Sequence, residues 1–194
     1  MRIDHTASTF AEAMIGPRIA GIGMQIAAVL AGTALLTLSA KVSVPFFPVP
    51  MTFQSLVVLL IGACFGPRLA GMTLVAYLAE GAAGLPVFAG TPEKGIGLAY
   101  MAGPTGGFLV GFLIAAILVG SLARRGMDRS VWTAALAMLL GTVAIYLPGL
   151  LWLGTLVGWD KPVLAWGLYP FVYGDILKLA IASLAMPLLW RYGH

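Results

Sequence analysis

The chain places an acid and a base three residues apart inside an apolar run, in the stretch YGDILK at positions 173–178. Asp175 and Lys178 are at positions i and i+3, so they share one face of a helix. A carboxylate accepts hydrogen bonds from N–H groups, and an ammonium donates to a carboxylate or a carbonyl. The pair therefore suits a ligand with both N–H donors and an anionic end. The alternative is a structural salt bridge in which the two groups neutralise each other.

The composition indicates that this helix lies in a membrane. Of the 194 residues, 60% are hydrophobic and only 9% are charged, whereas soluble domains carry roughly 25% charged residues. Ionisable side chains within a membrane span are costly, and they usually mark a functional site that faces the bundle interior. We therefore predict a multi-pass protein of the cytoplasmic membrane. We expect residues 1–194 to form a single transmembrane substrate-binding domain, with 1–18 as a cytoplasmic N-terminal segment.

Six predicted spans make an all-α membrane protein, a compact bundle of six transmembrane helices. They cover residues 19–40, 52–65, 69–79, 106–123, 131–153 and 169–190. The second and third spans are short and are separated by GPR at 66–68, but neighbours in a bundle cover the ends of short helices. In the sixth span, Asp175 is expected about two turns in and Lys178 one turn deeper.

Arginines and lysines predict the orientation of the bundle. With the N- and C-termini cytoplasmic, seven basic residues fall inside and three outside, as the positive-inside rule expects. The inside residues are Arg2, Arg18, Arg68, Arg124, Arg125, Arg129 and Arg191, and the outside residues are Lys41, Lys94 and Lys161. The alternative is a four-span protein with a re-entrant hairpin at 52–79, which leaves Arg68 in the membrane or outside.

The first outside loop, 41–51, contains three prolines that predict an extended, stiff path. Phe46 and Phe47 give it an apolar face, and Thr52 and Gln54 follow it at the start of the second span. One hypothesis is a lid over a pocket, in which Gln54 supplies an amide donor and acceptor. The other is a rigid connector with an interfacial aromatic anchor.

The second outside loop, 80–105, begins at Glu80 and is rich in glycine and proline. Its glycines, together with Pro86 and Phe88, indicate backbone that closely approaches a ligand or another helix. The loop ends in GPTGG at 103–107, where the free N–H groups of the fourth helix can bind an anion. A plain helix start is the alternative.

Rows of small residues recur on two spans, and such rows let helices pack closely in lipid. The first row is Gly23, Ala27 and Ala31, and the second is Gly103, Gly107 and Gly111. Either both rows pack within the bundle, or one of them docks another membrane subunit. The row on the first span is the stronger candidate for docking.

Four motifs resemble the BioY family, the biotin-specific substrate-binding (S) component of energy-coupling factor transporters. They are PVPMTFQSLVVLLIGACFGPRLA at 48–70, YLAEGAAGLPVFAG at 77–90, GPTGGFLVGF at 103–112 and GDILK at 174–178. The resemblance covers about residues 20–190. It implies a six-helix bundle that binds biotin from outside, without a cofactor or nucleic acid. It also implies partnership with a membrane coupling (T) subunit and two cytoplasmic ATPase (A) subunits.

The resemblance also implies roles for particular residues. Asp175 and Lys178 lie in the biotin pocket, where the acid suits the ureido N–H groups and the lysine suits the ureido carbonyl or the carboxylate. Glu80 departs from the uncharged side chain expected at its position, and its role stays open. The candidate binding residues are Asp175, Lys178, Gln54, Thr52, Tyr173, Phe88, Phe46, Glu80, Tyr77, Tyr100, Gly106 and Gly107. The candidate residues for docking the coupling subunit are Gly23, Ala27, Ala31, Ala28 and Gly32.

Other function classes fit the sequence less well. An intramembrane enzyme needs a nucleophile–base pair or a metal cluster, but the histidines are His5 and His194 and the one cysteine is Cys64. We therefore predict no catalytic residues and no metal site. A nucleotide P-loop motif is also missing, so the chain does not itself hydrolyse ATP. The alternative function is a self-sufficient biotin transporter that acts as a homo-oligomer without ATPase subunits.

Overall fold

The computed structural model describes residues 9–16 and 21–192, and helices dominate both segments. The helices are α1 (Phe10–Ile15), α2 (Ile22–Lys41), α3 (Gln54–Ala82), α4 (Gly97–Met101), α5 (Gly106–Ala123), α6 (Val131–Val157), α7 (Val163–Gly167) and α8 (Val172–Tyr192). Two 3-10 turns cover Met127–Arg129 and Tyr169–Phe171. A short antiparallel hairpin pairs β1 (Ser43–Val44) with β2 (Met51–Thr52).

Helix α3 consists of two arms that run side by side, because the chain turns back at Gly66. This glycine has φ 73° and ψ 174°, which is not helical. The side-chain amide of Gln54 donates to the Tyr77 hydroxyl at 2.7 Å, across a sequence separation of 23 residues. A straight helix of that length would separate the two residues by roughly 34 Å. The first arm (residues 54–65) and the second arm (67–82) are therefore antiparallel.

The reversal confirms the predicted bundle of six transmembrane helices. Within residues 9–16 and 21–192, five helical segments are long and apolar enough to cross a membrane, and α3 is one of them. Since α3 crosses twice, this part of the chain makes six crossings. The predicted break at GPR is where the two arms meet, and the predicted fourth span, 106–123, has the bounds of α5 (Gly106–Ala123).

The basic residues separate to opposite ends of the bundle. Arg68 and Arg124 line one cleft at the end where α1 packs, and the Arg129 guanidinium lies 4.6 Å from the ring centroid of Trp190 near the end of α8. Lys41 contacts the loop after α3 at the opposite end. The positive-inside rule makes the arginine end cytoplasmic. Arg2 and Arg18 lie outside the described residues.

The cytoplasmic end is closed by contacts between α1, the first 3-10 turn and α8. The indole N–H of Trp190 donates to Asp128 Oδ2 at 2.7 Å, and Phe10 packs edge-on against the same indole at 5.6 Å. Burial raises the pKa of the Asp128 carboxyl above its ordinary value. These contacts fix the start and the end of the bundle against each other.

Two expectations about the outer end are wrong. The loop at 41–51 is not an extended rod but a hairpin, in which Ser43 pairs with Thr52 and Val44 with Met51. Its three prolines all fall between the strands, where their missing N–H groups cost no ladder bond. Asp175 also lies in the first turn of its helix rather than two turns in. The reason is that Tyr169–Phe171, which contains Pro170, forms a separate 3-10 turn before α8 begins.

Glycines let α5 pack at the centre of the bundle. A Cβ on Gly120 would lie 2.6 Å from the carbonyl carbon of Gly66 and from the nitrogen of Pro67. A Cβ on Gly111 would lie 2.5 Å from the carbonyl oxygen of Ile145 in α6, and one on Gly107 would meet Trp152 at 2.3 Å. The second small-residue row therefore packs within the bundle. These backbone approaches hold the turn of α3 and the middle of α6 against one helix.

We predict that Gly120→Ala destabilises the bundle, because the new methyl group meets the backbone of the α3 turn. Overpacking against atoms that cannot rotate away costs typically about 1–3 kcal/mol. The measurement is thermal unfolding of the purified protein in detergent. Gly23→Ala is the matched control, since nothing lies within 4 Å of a Cβ built there. Equal unfolding temperatures for the two variants would contradict the packing described here.

Candidate functional site

A partly enclosed cavity lies at the outer end of the bundle, between the β-hairpin, the first arm of α3, α5, α6 and α8. Its volume is about 70 Å³, several times the roughly 10–15 Å³ that one water molecule needs. The lining combines apolar walls with a small set of polar side chains, as ligand pockets do. The lining residues are Val49, Pro50, Thr52, Gln54, Ser55, Ala89, Tyr100, Thr105, Phe108, Leu109, Phe112, Thr142, Ile145, Tyr146, Phe171, Asp175 and Lys178.

Asp175 and Lys178 meet at the wall of this cavity. The Lys178 ammonium lies 3.0 Å from Asp175 Oδ1, and the two side chains are only 9% and 13% exposed, respectively. Lys178 also donates to Ser55 Oγ at 3.0 Å, and the Tyr146 hydroxyl donates to Asp175 Oδ2. The salt bridge and the cavity thus exist together, and neither of the two hypotheses from the sequence excludes the other.

The pair keeps hydrogen-bonding capacity for a ligand. An ammonium has three donors, of which Asp175 and Ser55 occupy two. Each oxygen of Asp175 accepts one hydrogen bond, although a carboxylate offers about four lone-pair sites. Asp175 is in the first turn of α8, where the helix dipole favours negative charge. The site can therefore both donate to a guest and accept from it.

Gln54 reaches the cavity at the start of α3, and its orientation is set by neighbours. Its backbone N–H donates to Thr52 Oγ1 at 3.2 Å. Its side-chain NH₂ donates to the Tyr77 hydroxyl at 2.7 Å, and that hydroxyl donates to the Val87 carbonyl at 2.9 Å. Tyr77 does not line the cavity but orients Gln54, whose amide oxygen accepts a long 3.5 Å contact from Thr52.

Aromatic rings support the loop between α3 and α4. Phe88 is fully buried, stacks on Tyr100 with ring centroids 5.0 Å apart, and packs edge-on against Tyr77. The Tyr100 hydroxyl donates to the Ala89 carbonyl at 2.8 Å. Burial raises the pKa of that hydroxyl, so it stays protonated as a donor. Tyr100 and Ala89 line the cavity, and Phe88 lies behind them.

Five of the twelve predicted binding residues line the cavity: Asp175, Lys178, Gln54, Thr52 and Tyr100. Seven do not, and two of these, Tyr77 and Phe88, lie directly behind the lining, as described above.

The other five predicted residues lie elsewhere. Tyr173 is 84% exposed, Phe46 packs against the ring of Phe171 at the rim, and Glu80 lies partly buried near the end of α3, away from the lining. Gly106 and Gly107 pack against Met101 and Trp152.

Several lining residues were missed by the sequence reasoning. Tyr146 and Thr142 lie four residues apart in α6, so they share one helix face and form a polar pair inside an apolar span. That spacing was a usable signal for both residues. Ser55, next to Gln54, and Phe108 and Phe112 of α5 carried no comparable signal. Among the described residues, no group of three or more His, Cys, Asp or Glu side chains is placed to hold a metal ion.

The first small-residue row lies on the surface of the bundle. Gly23, Ala27 and Ala31 are exposed on α2, and a Cβ on Gly23 would meet nothing within 4 Å. Gly32 faces the opposite way and is buried against Thr73 of the second arm of α3. The five predicted docking residues thus divide between an outer face and an inner face, with Ala28 half-buried between them.

Known proteins are similar to this chain in sequence and in fold. The model of the BioY family matches residues 11–194. The chain belongs to the BioY family. The match begins at position 11, earlier than the resemblance at about 20–190, and so includes most of α1.

Curated BioY relatives match most of the chain. It is 40% identical over 149 residues to the probable biotin transporter BioY of Pyrococcus horikoshii, covering 77% of this chain and 85% of the relative. It is 36% identical over 152 residues to the biotin transporter BioY of Thermotoga maritima, covering 78% and 87%.

A solved structure has the same fold as this BioY-family chain. The crystal structure of the S-component for biotin from an ECF-type ABC transporter superposes with a TM-score of 0.74, covering 87% of this chain and 92% of that one. The identity between the two chains is 24%. The six-crossing bundle is therefore a fold that an experimental structure shares.

We predict strong energetic coupling between Asp175 and Lys178 in the ligand-free protein. Asp175→Asn or Lys178→Met alone leaves one buried charge without its partner, which costs roughly 3–5 kcal/mol. The double variant leaves neither charge, so its loss should be smaller than the sum of the single losses. Thermal unfolding of all four proteins in detergent measures the coupling.

The control is the same comparison of single and double variants at the exposed pair Asp160–Lys161, whose charged atoms are 2.9 Å apart with side chains more than half exposed. Solvent screens such a pair, so these variants should show almost no energetic coupling. If the stability losses of Asp175→Asn and Lys178→Met add up to the loss of the double variant, the predicted coupling is contradicted.

Proposed function

We propose that this chain binds biotin and takes it up across the cytoplasmic membrane as the substrate-specific component of an energy-coupling factor transporter. The observation that carries the proposal is the buried Asp175–Lys178 pair, which retains free donor and acceptor sites at the wall of an outward cavity in a BioY-family chain. The whole chain acts as one transmembrane substrate-binding domain. Curated relatives that cover most of it are named biotin transporters.

The chemistry of biotin matches the two kinds of lining. Its ureido ring has two N–H donors and one carbonyl acceptor, and Asp175 and Lys178 offer the complementary acceptor and donor. Gln54 at the start of α3 and Thr52 in β2 add further polar groups to the lining. The fused thioether ring is apolar and suits the walls made by the rings of Phe108, Phe112 and Phe171.

We predict that Asp175→Asn and Lys178→Met each weaken biotin binding on the order of a hundredfold, because each removes a charged hydrogen-bonding partner from a buried site. Isothermal titration of biotin into detergent-purified protein gives the affinities. Tyr173→Phe is the control and should bind like the native protein, since its side chain is exposed and outside the lining. Native affinity in Asp175→Asn would overturn the pocket assignment.

The exposed row of small residues on α2 is the evidence for a partner subunit in the membrane. Gly23, Ala27 and Ala31 offer a smooth helix face on which another helix can pack closely. The sequence lacks a nucleotide P-loop. We therefore place a membrane coupling subunit on this row, and cytoplasmic ATPase subunits beneath it as the source of energy.

We predict that Ala27→Leu combined with Ala31→Leu abolishes ATP-dependent biotin uptake and leaves biotin binding unchanged. The larger side chains stand on the docking face and remain far from the cavity. Uptake into vesicles that contain the coupling and ATPase subunits measures the first effect, and titration measures the second. Ala180→Leu, an exposed alanine on α8, is the control and should transport normally. Native uptake by the double variant, or full uptake by vesicles holding this chain alone, would refute the docking role.

A further inference from the structure

We propose that Lys41 is a positioning residue that holds the outer cap of the cavity closed and slows release of the bound ligand. The outer cap is defined as the hairpin segment 42–52 together with the loop segment 85–92. The Lys41 ammonium donates to the Phe88 carbonyl at 3.1 Å, to the Thr91 carbonyl at 3.0 Å and to Thr91 Oγ1 at 3.1 Å. All three donors of one ammonium are thus used on the loop segment.

Lys41 stands where the two segments of the outer cap meet. It is the last residue of α2, and the hairpin segment follows it directly. Val49 and Pro50 of the hairpin segment line the cavity, and so does Ala89 of the loop segment. Through these contacts, Lys41 connects the loop segment to the start of the hairpin segment, and both segments contribute to the cavity wall. Separation of the two segments requires these contacts to break.

Ordinary helix capping does not account for these contacts. A lysine in the last turn of a helix commonly bonds the final carbonyls of its own helix. Lys41 instead reaches carbonyls that are 47 and 50 residues away in sequence. Ordering a long, flexible lysine side chain on a distant loop costs rotamer entropy, which three charge-assisted bonds offset.

The other supports of the loop segment hold it against different elements. Tyr77 donates to the Val87 carbonyl and Tyr100 donates to the Ala89 carbonyl, so these bonds fix the loop to α3 and α4. The Thr91 hydroxyl donates to the Phe88 carbonyl at 2.7 Å and closes the turn locally. Removing the Lys41 ammonium therefore leaves the fold of the loop intact and loosens its tie to α2 and the hairpin segment.

The proposal rests on the proposed function for its ligand, and Lys41→Met tests it. Biotin release is followed by loading the detergent-purified protein with radiolabelled biotin and chasing with unlabelled biotin. We expect dissociation on the order of tenfold faster, the effect of losing about one net bond to a charged group, with a much smaller change in association. Lys41→Arg keeps donors at this position and should recover most of the slow release.

Lys94→Met is the matched control. Lys94 belongs to the same outer region, and its stem packs over Gly90, but among the described residues its ammonium makes no hydrogen bond to the outer cap. Its release rate should equal the native rate. Native release from Lys41→Met, or equally fast release from Lys94→Met, would overturn the proposal.

Hydrogen exchange in the ligand-free protein separates this proposal from the proposed function. Lys41→Met should exchange the amides of peptides covering 85–95 faster than the native protein, whether or not biotin binds. Faster exchange supports the role of Lys41 in holding the loop segment even if the native protein fails to bind biotin, a result that would refute only the proposed function. Unchanged exchange in Lys41→Met would refute this role of Lys41 even if biotin binds as proposed.

Discussion

Two opposite charges taken out of water in the outer half of a membrane protein must find partners, and the site is built around that requirement. Desolvation costs several kcal/mol per ion, and mutual attraction offsets this only when the remaining donors and acceptors are also satisfied. In this chain α8 supplies both charges, the first arm of α3 supplies Ser55, and α6 supplies Tyr146. Three separate segments therefore converge on one pair. Asp175 and Lys178 line the cavity, so their remaining hydrogen-bond donor and acceptor sites are available to a ligand.

The reversal at Gly66 is what brings the first arm of α3 to this pair. Because the chain turns back there, residues 54–65 cross the membrane beside 67–82, and Gln54 and Ser55 lie at the outer end with the hairpin. The turn is held by α5, whose Gly120 touches the backbone at Gly66 and Pro67. The packing of Gly120 at the cytoplasmic end therefore helps to place Ser55 beside the Asp175–Lys178 pair at the outer end. Each helix that walls the cavity is positioned by close packing on α5 or α6.

The sequence predicts what depends on local pattern and misses what depends on distant contacts. Apolar runs of sufficient length, the GPR break and the i, i+3 charges predict the crossings and the central pair. Tyr146 and Ser55 join Asp175 and Lys178 across separations of 29 and 123 residues, which no local pattern contains. Tyr173 shows a finer limit. It is two residues from Asp175, and at about 100° per residue that places the two side chains on nearly opposite faces of α8.

The neutrality of the pair bears on how a guest is oriented. Asp175 and Lys178 already cancel each other, so a carboxylate placed beside them would add a net charge in a poorly solvated position next to Asp175. A neutral group that presents N–H donors and a carbonyl adds no charge and matches both members of the pair. The ureido ring of biotin is such a group. In the proposed complex the ureido ring therefore lies at the Asp175–Lys178 pair, and the carboxylate lies at the end of the ligand that is farther from the pair.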